Sequence, residues 1–169
     1  MDSIYRINSL PTEQAEAEFL KCCGSRRWAA RMSAARPFEN VEEMVITADR
    51  IWWSLESSHW LEAFDSHPKI GEKKAAAPVA DQFLSWSQTE QSGMRDSTQQ
   101  TMDQLAELNR QYQKRFGFIY IVCATGKSAE EMLAILRDRL DNDRAIELNN
   151  AAREQAKITT LRLNKLIEA

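Results

Sequence analysis

Apolar residues recur along this chain at steps of three and four, the spacing that gathers them on one face of an α-helix. Thr12 is placed to cap a helix that carries Phe19 and Leu20 and stops at Gly24. A second helix bears Trp28, Met32 and Ala35 on one face and ends before Pro37, which disfavours helical backbone at the residue preceding it. Asn40 with Glu43 three residues on is a capping pattern. It opens an amphipathic segment with Val41, Met44, Val45, Ala48, Trp52 and Leu55. A short helix around Trp60, Leu61 and Phe64 then leads into the loop His67-Pro68-Lys69-Ile70-Gly71-Glu72.

Beyond that loop the pattern predicts one long helix from Ser87 to Arg115. Its half-buried stripe runs through Met94, Thr98, Thr101, Leu105, Leu108 and Tyr112, and Gly117 is placed to end it. Phe118 to Ala124, FIYIVCA, has strong β character but finds no partner run elsewhere. It is therefore expected to be a buried extended segment outside any sheet. Ser128 with Glu131 begins a helix through Leu140, and a last helix starts near Asp143. No repeat or low-complexity stretch interrupts the chain. The expected fold is all-α, a single-domain bundle of about seven to eight helices over residues 1–169.

Composition narrows the function classes. With 22 basic against 25 acidic residues the net charge is -3, and no cluster of Lys or Arg stands out, so nucleic acid and anionic membrane surfaces are not expected partners. No apolar run approaches the ~20 residues of a membrane span. Cys22, Cys23 and Cys123 form no spaced disulfide framework, and the sequence opens without the pattern of a signal peptide. A cytoplasmic protein is the expectation.

Several chemistries can be set aside. Gly126-Lys127-Ser128 looks like the tail of a phosphate-binding loop, but that motif needs a Gly where Ile121 stands. Ser128 and Glu131 read better as a helix cap. The two histidines, His59 and His67, have no ligand spacing to a Cys or carboxylate pair, so no metal site is expected. No G-x-S-x-G turn presents a nucleophilic serine.

What remains is acid–base or electrostatic chemistry around His67. Pro68 restricts the backbone before it to extended conformations and would aim the imidazole in a fixed direction. A loop histidine is ordinarily just a helix-end residue, and His59 beside Trp60 fits that description. Ser87 and Glu90 have capping-box spacing, a structural role by default, but Glu90 is also in register with the apolar stripe and can point inward. Arg162 falls on the inward stripe of the last helix, with Leu148, Ala151, Gln155, Ile158 and Leu166. A guanidinium facing a core needs an anionic partner. That partner could be a protein carboxylate or a substrate carboxylate held bidentately, and spacing leaves both open. A constrained His, an inward carboxylate and an inward Arg suit a small anionic substrate without naming a reaction.

The motifs in order add a resemblance. His67-Pro68-Lys69-Ile70-Gly71-Glu72, Ser87-x-x-Glu90-Gln91, Leu108-Asn109 with Tyr112, Phe116-Gly117-Phe118 leading to Ile121-Val122-Cys123-Ala124 and Gly126-Lys127-Ser128, and Glu154-Gln155-Ala156-Lys157-Ile158 before Leu161-Arg162-Leu163 follow one another. Together they resemble the 2-oxo-4-hydroxy-4-carboxy-5-ureidoimidazoline (OHCU) decarboxylases. That resemblance implies an all-helical fold, a homodimer, and the decarboxylation step of urate breakdown that yields (S)-allantoin. It implies His67 as catalytic acid or base, Glu90 as a participant and Arg162 as the group holding an anionic or carbonyl oxygen. Pro68, Ser87, Gln91 and backbone groups of Ile121, Val122 and Ala124 would contact the substrate. No cofactor is implied, because an imine beside the carboxylate-bearing carbon can accept the electrons left by CO2. Two competing readings stand beside this one: a non-catalytic helical interaction module, and a hydrolase or isomerase of a related ureido compound.

Overall fold

Short polar side chains set several of the helix starts, each accepting an otherwise orphaned backbone N–H. The computed structural model of the chain describes residues 3–69, 81–94 and 97–169. Among these lie nine α-helices and no strand: α1 Ser3–Ser9, α2 Thr12–Cys22, α3 Arg26–Ala34, α4 Val41–Ser54, α5 Ser57–Asp65, α6 Asp81–Glu90, α7 Gln99–Phe116, α8 Ala129–Leu140 and α9 Arg144–Glu168. A 3₁₀ turn at Ser92–Met94 separates α6 from α7. Ser25, Asn40, Thr98 and Ser128 cap α3, α4, α7 and α8 by accepting the N–H groups of Trp28, Glu43, Thr101 and Glu131. Thr12 is not a cap; α2 begins after Pro11 with no side-chain cap bond.

The helix count exceeds the expected seven to eight for two reasons. The short α1 had no pattern strong enough to mark it, and the long helix expected from Ser87 is two helices. Ser87 lies in the last turn of α6 instead of capping a new helix. A Ser/Glu pair three residues apart occupies one helical face whether it begins or ends a helix, so spacing alone does not tell the two apart. The Thr98 cap then starts α7, and Gly117, at φ 83°, ends it in the left-handed region open to glycine.

By the density of its internal contacts the chain divides into two compact units. The first comprises residues 1–63 and 156–169. Its core holds Phe19, Trp28, Met32 and Met44, all fully buried, with Phe19 edge-on to Trp28 at 6.1 Å between ring centroids. The Trp28 indole N–H donates to the Ala48 carbonyl at 3.1 Å, tying α3 to α4. Arg36 donates to the carbonyls of Ile7 at 2.8 Å and Leu10 at 2.7 Å, which fixes the corner between α1 and α2.

The second unit comprises residues 64–155. Its centre is aromatic, with Tyr112, Phe116, Phe118 and Tyr120 in mutual ring contact. Every residue from Phe118 to Ala124 is buried, yet none belongs to a strand. Buried peptide groups without a ladder need other partners, and here ionic side chains serve. Arg139 Nη1 donates to the Ile121 carbonyl at 2.6 Å, Lys127 Nζ to the Cys123 carbonyl at 2.7 Å, and the Cys123 N–H donates to Glu154 Oε1 at 3.3 Å.

Arg139 is itself buried in a closed network. Its Nε donates to Glu147 Oε1 at 2.6 Å, Tyr112 donates its hydroxyl to the same oxygen at 3.1 Å, and the Asn150 amide donates to Glu147 Oε2 at 2.7 Å. The guanidinium also lies 5.0 Å from the Tyr120 ring centre. Burial works against its charge, but Tyr112 and the Glu147 carboxylate outweigh that and hold it more firmly cationic than an ordinary arginine.

Candidate active site

His67 follows the end of α5, where its backbone N–H closes the last turn onto the Phe64 carbonyl at 3.1 Å. The side chain is 7% exposed and Pro68 is buried beside it. His67 Nε2 and Gln155 Oε1 are 2.6 Å apart. An amide oxygen only accepts, so this contact is a hydrogen bond when the imidazole Nε2 carries the proton. Ile70, Gly71 and Glu72 of the His67 motif lie outside the described residues.

The last turn of α6 supplies the next part. Ser87 and Glu90 share a face and are 3% and 8% exposed, and Gln91 continues the turn by donating its N–H to the Ser87 carbonyl at 3.1 Å. Glu90 is therefore inward, as its register suggests, although the helix around it ends where a beginning is expected. The 3₁₀ turn that follows rests on backbone. A Cβ built at Gly93 would come within 2.1 Å of the Lys127 carbonyl oxygen and 3.1 Å of its carbon. Only glycine permits that approach, which brings the end of α6 to the end of the extended segment.

Ile121, Val122 and Ala124 are buried within that segment. The peptide groups of Cys123 are clamped on both sides, by Lys127 and by Glu154. Burial pushes the Cys123 thiol up, the Thr125 N–H and the Lys127 charge oppose it, and the Glu154 and Glu90 carboxylates add to it. Glu90, Glu154 and Lys127 thus act on one small volume. Glu154 and Gln155 are neighbours on α9, so adjacent residues fix the extended segment and the His67 ring. Within the second unit, neighbouring residues of α9 thus bond the His67 ring and the Cys123 peptide, and the Glu90 charge acts on the same cysteine.

Arg162 belongs to the first unit and is fully buried on α9, as its stripe predicts; on the same helix Glu147 is fully buried while Leu148 is half-buried. Its charge lowers the Cys22 and Cys23 thiols, but burial outweighs it and both are pushed up, Cys23 to about 12. These cysteines are consequently inert hydrophobes at neutral pH. Among the described residues no group of three or more His, Cys, Asp or Glu could hold a metal, and no helix is long and apolar enough to cross a membrane.

Several polar residues of this region had no local signature in the sequence. Gln155 is marked by its place on the α9 stripe and in the motif Glu154 to Ile158, without a role, and a buried amide on such a stripe is itself a sign of a polar partner. Arg139, Glu147, Glu154, Lys127 and Gly93 act through partners that no local pattern identifies.

Comparison with known proteins adds the chemistry. The OHCU decarboxylase family profile matches residues 8–164. The uric acid degradation bifunctional protein TTL of Arabidopsis thaliana is 41% identical over 156 residues, which are 91% of this chain and 48% of that protein. The chain spans about half or less of the length of the first such bifunctional relatives it matches. The 2-oxo-4-hydroxy-4-carboxy-5-ureidoimidazoline decarboxylase of Amia calva is 30% identical over 142 residues, 83% of this chain and 79% of that one. A crystal structure of OHCU decarboxylase in the presence of (S)-allantoin matches with a TM-score of 0.79 at 38% identity, covering 90% of this chain and 99% of the other.

Proposed function

The chain belongs to the OHCU decarboxylase family, and from that premise we propose that it decarboxylates 2-oxo-4-hydroxy-4-carboxy-5-ureidoimidazoline to (S)-allantoin without a cofactor. The observation that carries this reading is the buried His67, fixed through Nε2 to Gln155 at 2.6 Å one residue along α9 from the clamp on Cys123. An acid–base group held in that way suits a substrate that brings its own electron sink.

In the proposed reaction the bond between the ring carbon and its carboxylate breaks and CO2 leaves. The electron pair moves between the two ring carbons as the adjacent carbon–nitrogen double bond opens onto nitrogen, and the nitrogen takes up one proton to give an enol. The 4-hydroxyl loses its proton as that carbon becomes a carbonyl, and the neighbouring carbon gains one. The protein's tasks are orientation and proton placement. With Nε2 committed to Gln155, the proton exchange of His67 falls to Nδ1, and Glu90 participates as the second titratable group. Arg162 is assigned an anionic or carbonyl oxygen of the substrate, which a planar guanidinium can hold bidentately. Pro68, Ser87, Gln91 and backbone groups of Ile121, Val122 and Ala124 are assigned the remaining contacts. Delivery of the last proton to one face would give the (S) enantiomer.

Residues 1–169 are proposed to act as one functional domain, as a homodimer on the strength of the family resemblance and in the cytoplasm on the strength of the cysteine pattern. The test of the role assignment is the rate of substrate disappearance with wild-type protein and with His67→Ala. A fall of about 100-fold or more is expected, the scale of one general acid–base group. Near-normal turnover by His67→Ala would remove His67 from the mechanism, whereas a folded wild-type protein that does not hasten substrate loss would favour the related ureido chemistries or a binding role.

A further inference from the structure

We propose that Gln155 is a positioning residue that holds the neutral His67 ring as its Nε2–H tautomer and so assigns the basic lone pair to Nδ1. The inference deepens the role of His67 given above and rests on that reading for its meaning in catalysis. Its structural content stands separately. Gln155 is fully buried, between Ala151 and Ile158 on the inward stripe of α9, and its carboxamide oxygen lies 2.6 Å from His67 Nε2. A buried amide there is costly unless it is hydrogen-bonded. Its partner in turn is a ring whose two nitrogens exchange donor and acceptor roles with the tautomer.

The choice of an amide over a carboxylate matters. Histidines with a catalytic duty are commonly oriented through their second nitrogen by a group that fixes the tautomer. A carboxylate in that place also stabilises the imidazolium. An amide oxygen fixes direction and tautomer while adding no charge, so the ring keeps a neutral form able to take a proton. Charged groups serve the extended segment: Glu154, next to Gln155 on α9, accepts the Cys123 N–H, and Lys127 donates to the Cys123 carbonyl. Glu90, at the end of α6, acts on the same cysteine. Gln155 is thus the neutral member of an otherwise ionic set.

The chain has only two histidines, so ¹⁵N NMR of the imidazoles resolves His67 once a His59→Gln variant assigns the other ring. Two-bond couplings from the ring hydrogens identify which nitrogen carries the proton. In the wild-type protein, above the ring's titration, His67 is expected as a single Nε2–H tautomer. Gln155→Leu is expected to release it to a mixture, and Gln155→Glu to keep the Nε2–H form while raising the His67 titration midpoint by about one pH unit or more. Kinetically, Gln155→Leu should lower kcat by about tenfold, the factor that one hydrogen bond's net worth represents, with KM little changed.

A wild-type Nδ1–H tautomer, or a titration midpoint unmoved by Gln155→Glu, would overturn the proposal. Should Gln155→Leu fail to fold, the wild-type tautomer and the near-isosteric Gln155→Glu still decide it. The spectra do not depend on turnover. If they come out as expected in a protein that does not decarboxylate, the positioning role survives and the activity reading alone falls.

Discussion

Arg139 Nη1 donates to the Ile121 carbonyl oxygen at 2.6 Å, and through that bond a buried ion pair holds one end of the segment assigned to substrate. The pair is closed by Glu147, fully buried and 2.6 Å from Arg139 Nε. Breaking such a pair from one side leaves an uncompensated buried charge, at a cost of about 3–5 kcal/mol. Arg139→Met is therefore expected to lower stability by that amount in urea denaturation followed by far-ultraviolet circular dichroism. The double variant Arg139→Met with Glu147→Leu should lose less than the sum of the single losses, because it leaves neither charge alone. A single-variant loss below about 1 kcal/mol, the scale of a surface pair, would mean that the network is not what holds the segment.

Gly93 has a second consequence, since a Cβ there would meet Lys127 backbone and no flexible side chain could yield. Gly93→Ala is expected to cost roughly 1–3 kcal/mol, the range for overpacking. It should also lower kcat/KM by displacing the turn that follows Glu90 and Gln91. Thermal denaturation and steady-state kinetics on the same preparation check both parts. An unaltered melting temperature would show that the approach of the two backbones is not required.

Cys23 gives the chain a pH dependence with a definite sign. Burial first, against the counteracting Ser25 N–H, Thr159 and Arg162, raises its thiol from 9.0 to about 12. Below pH 9 both folded and unfolded chains keep the proton, and the stabilisation is fully present. Between there and pH 12 the unfolded chain loses the proton while the folded chain keeps it. Stability then falls with rising pH, by up to about 1.4 kcal/mol per unit for this one group. Cys22, Tyr112 and Tyr120 are pushed the same way by burial and steepen the fall. Urea midpoints from roughly pH 8 to pH 11 should decline, and Cys23→Ala should flatten part of that decline. Equal slopes for wild type and variant would contradict the assignment.

Arg162→Lys retains the charge on α9 and loses the planar fork. If the guanidinium holds a substrate oxygen in two places, kcat/KM should fall about 10- to 100-fold, the worth of one charged hydrogen bond, while the fold persists. A variant that folds and turns over normally would return Arg162 to a purely structural role.

Much of this architecture was legible because it is local. The caps at Asn40 and Ser128 and the helix end at Gly117 are short-range patterns, each satisfied within a few residues. Phe118 to Ala124 could be read as buried and outside any sheet because no partner run existed. The burial of Arg162 followed from helical register, whereas Glu90 is buried although the continuous helix on which its register was read divides after it. Ser87 was misleading because a capping pair and a helical-face pair have the same spacing, and only the 3₁₀ turn beyond Glu90 separates them. His67 and Gln155 are 88 residues apart and Arg139 and Ile121 are 18 apart, so neither partnership leaves a periodic trace. The chemistry-bearing residue types could be read from the chain; the neutral amide behind His67 and the ionic clamp behind Ile121 required the tertiary structure.

The central claim is tested most directly by circular dichroism of a reaction started from urate with urate oxidase and 5-hydroxyisourate hydrolase, with and without this protein. Unaided decay of the intermediate gives racemic allantoin, which has no optical signal. Rapid growth of a stable (S)-allantoin signal only when the protein is present is the expected result. Decay at the spontaneous rate to an optically silent product, with the added protein shown to be folded, would contradict the decarboxylase assignment.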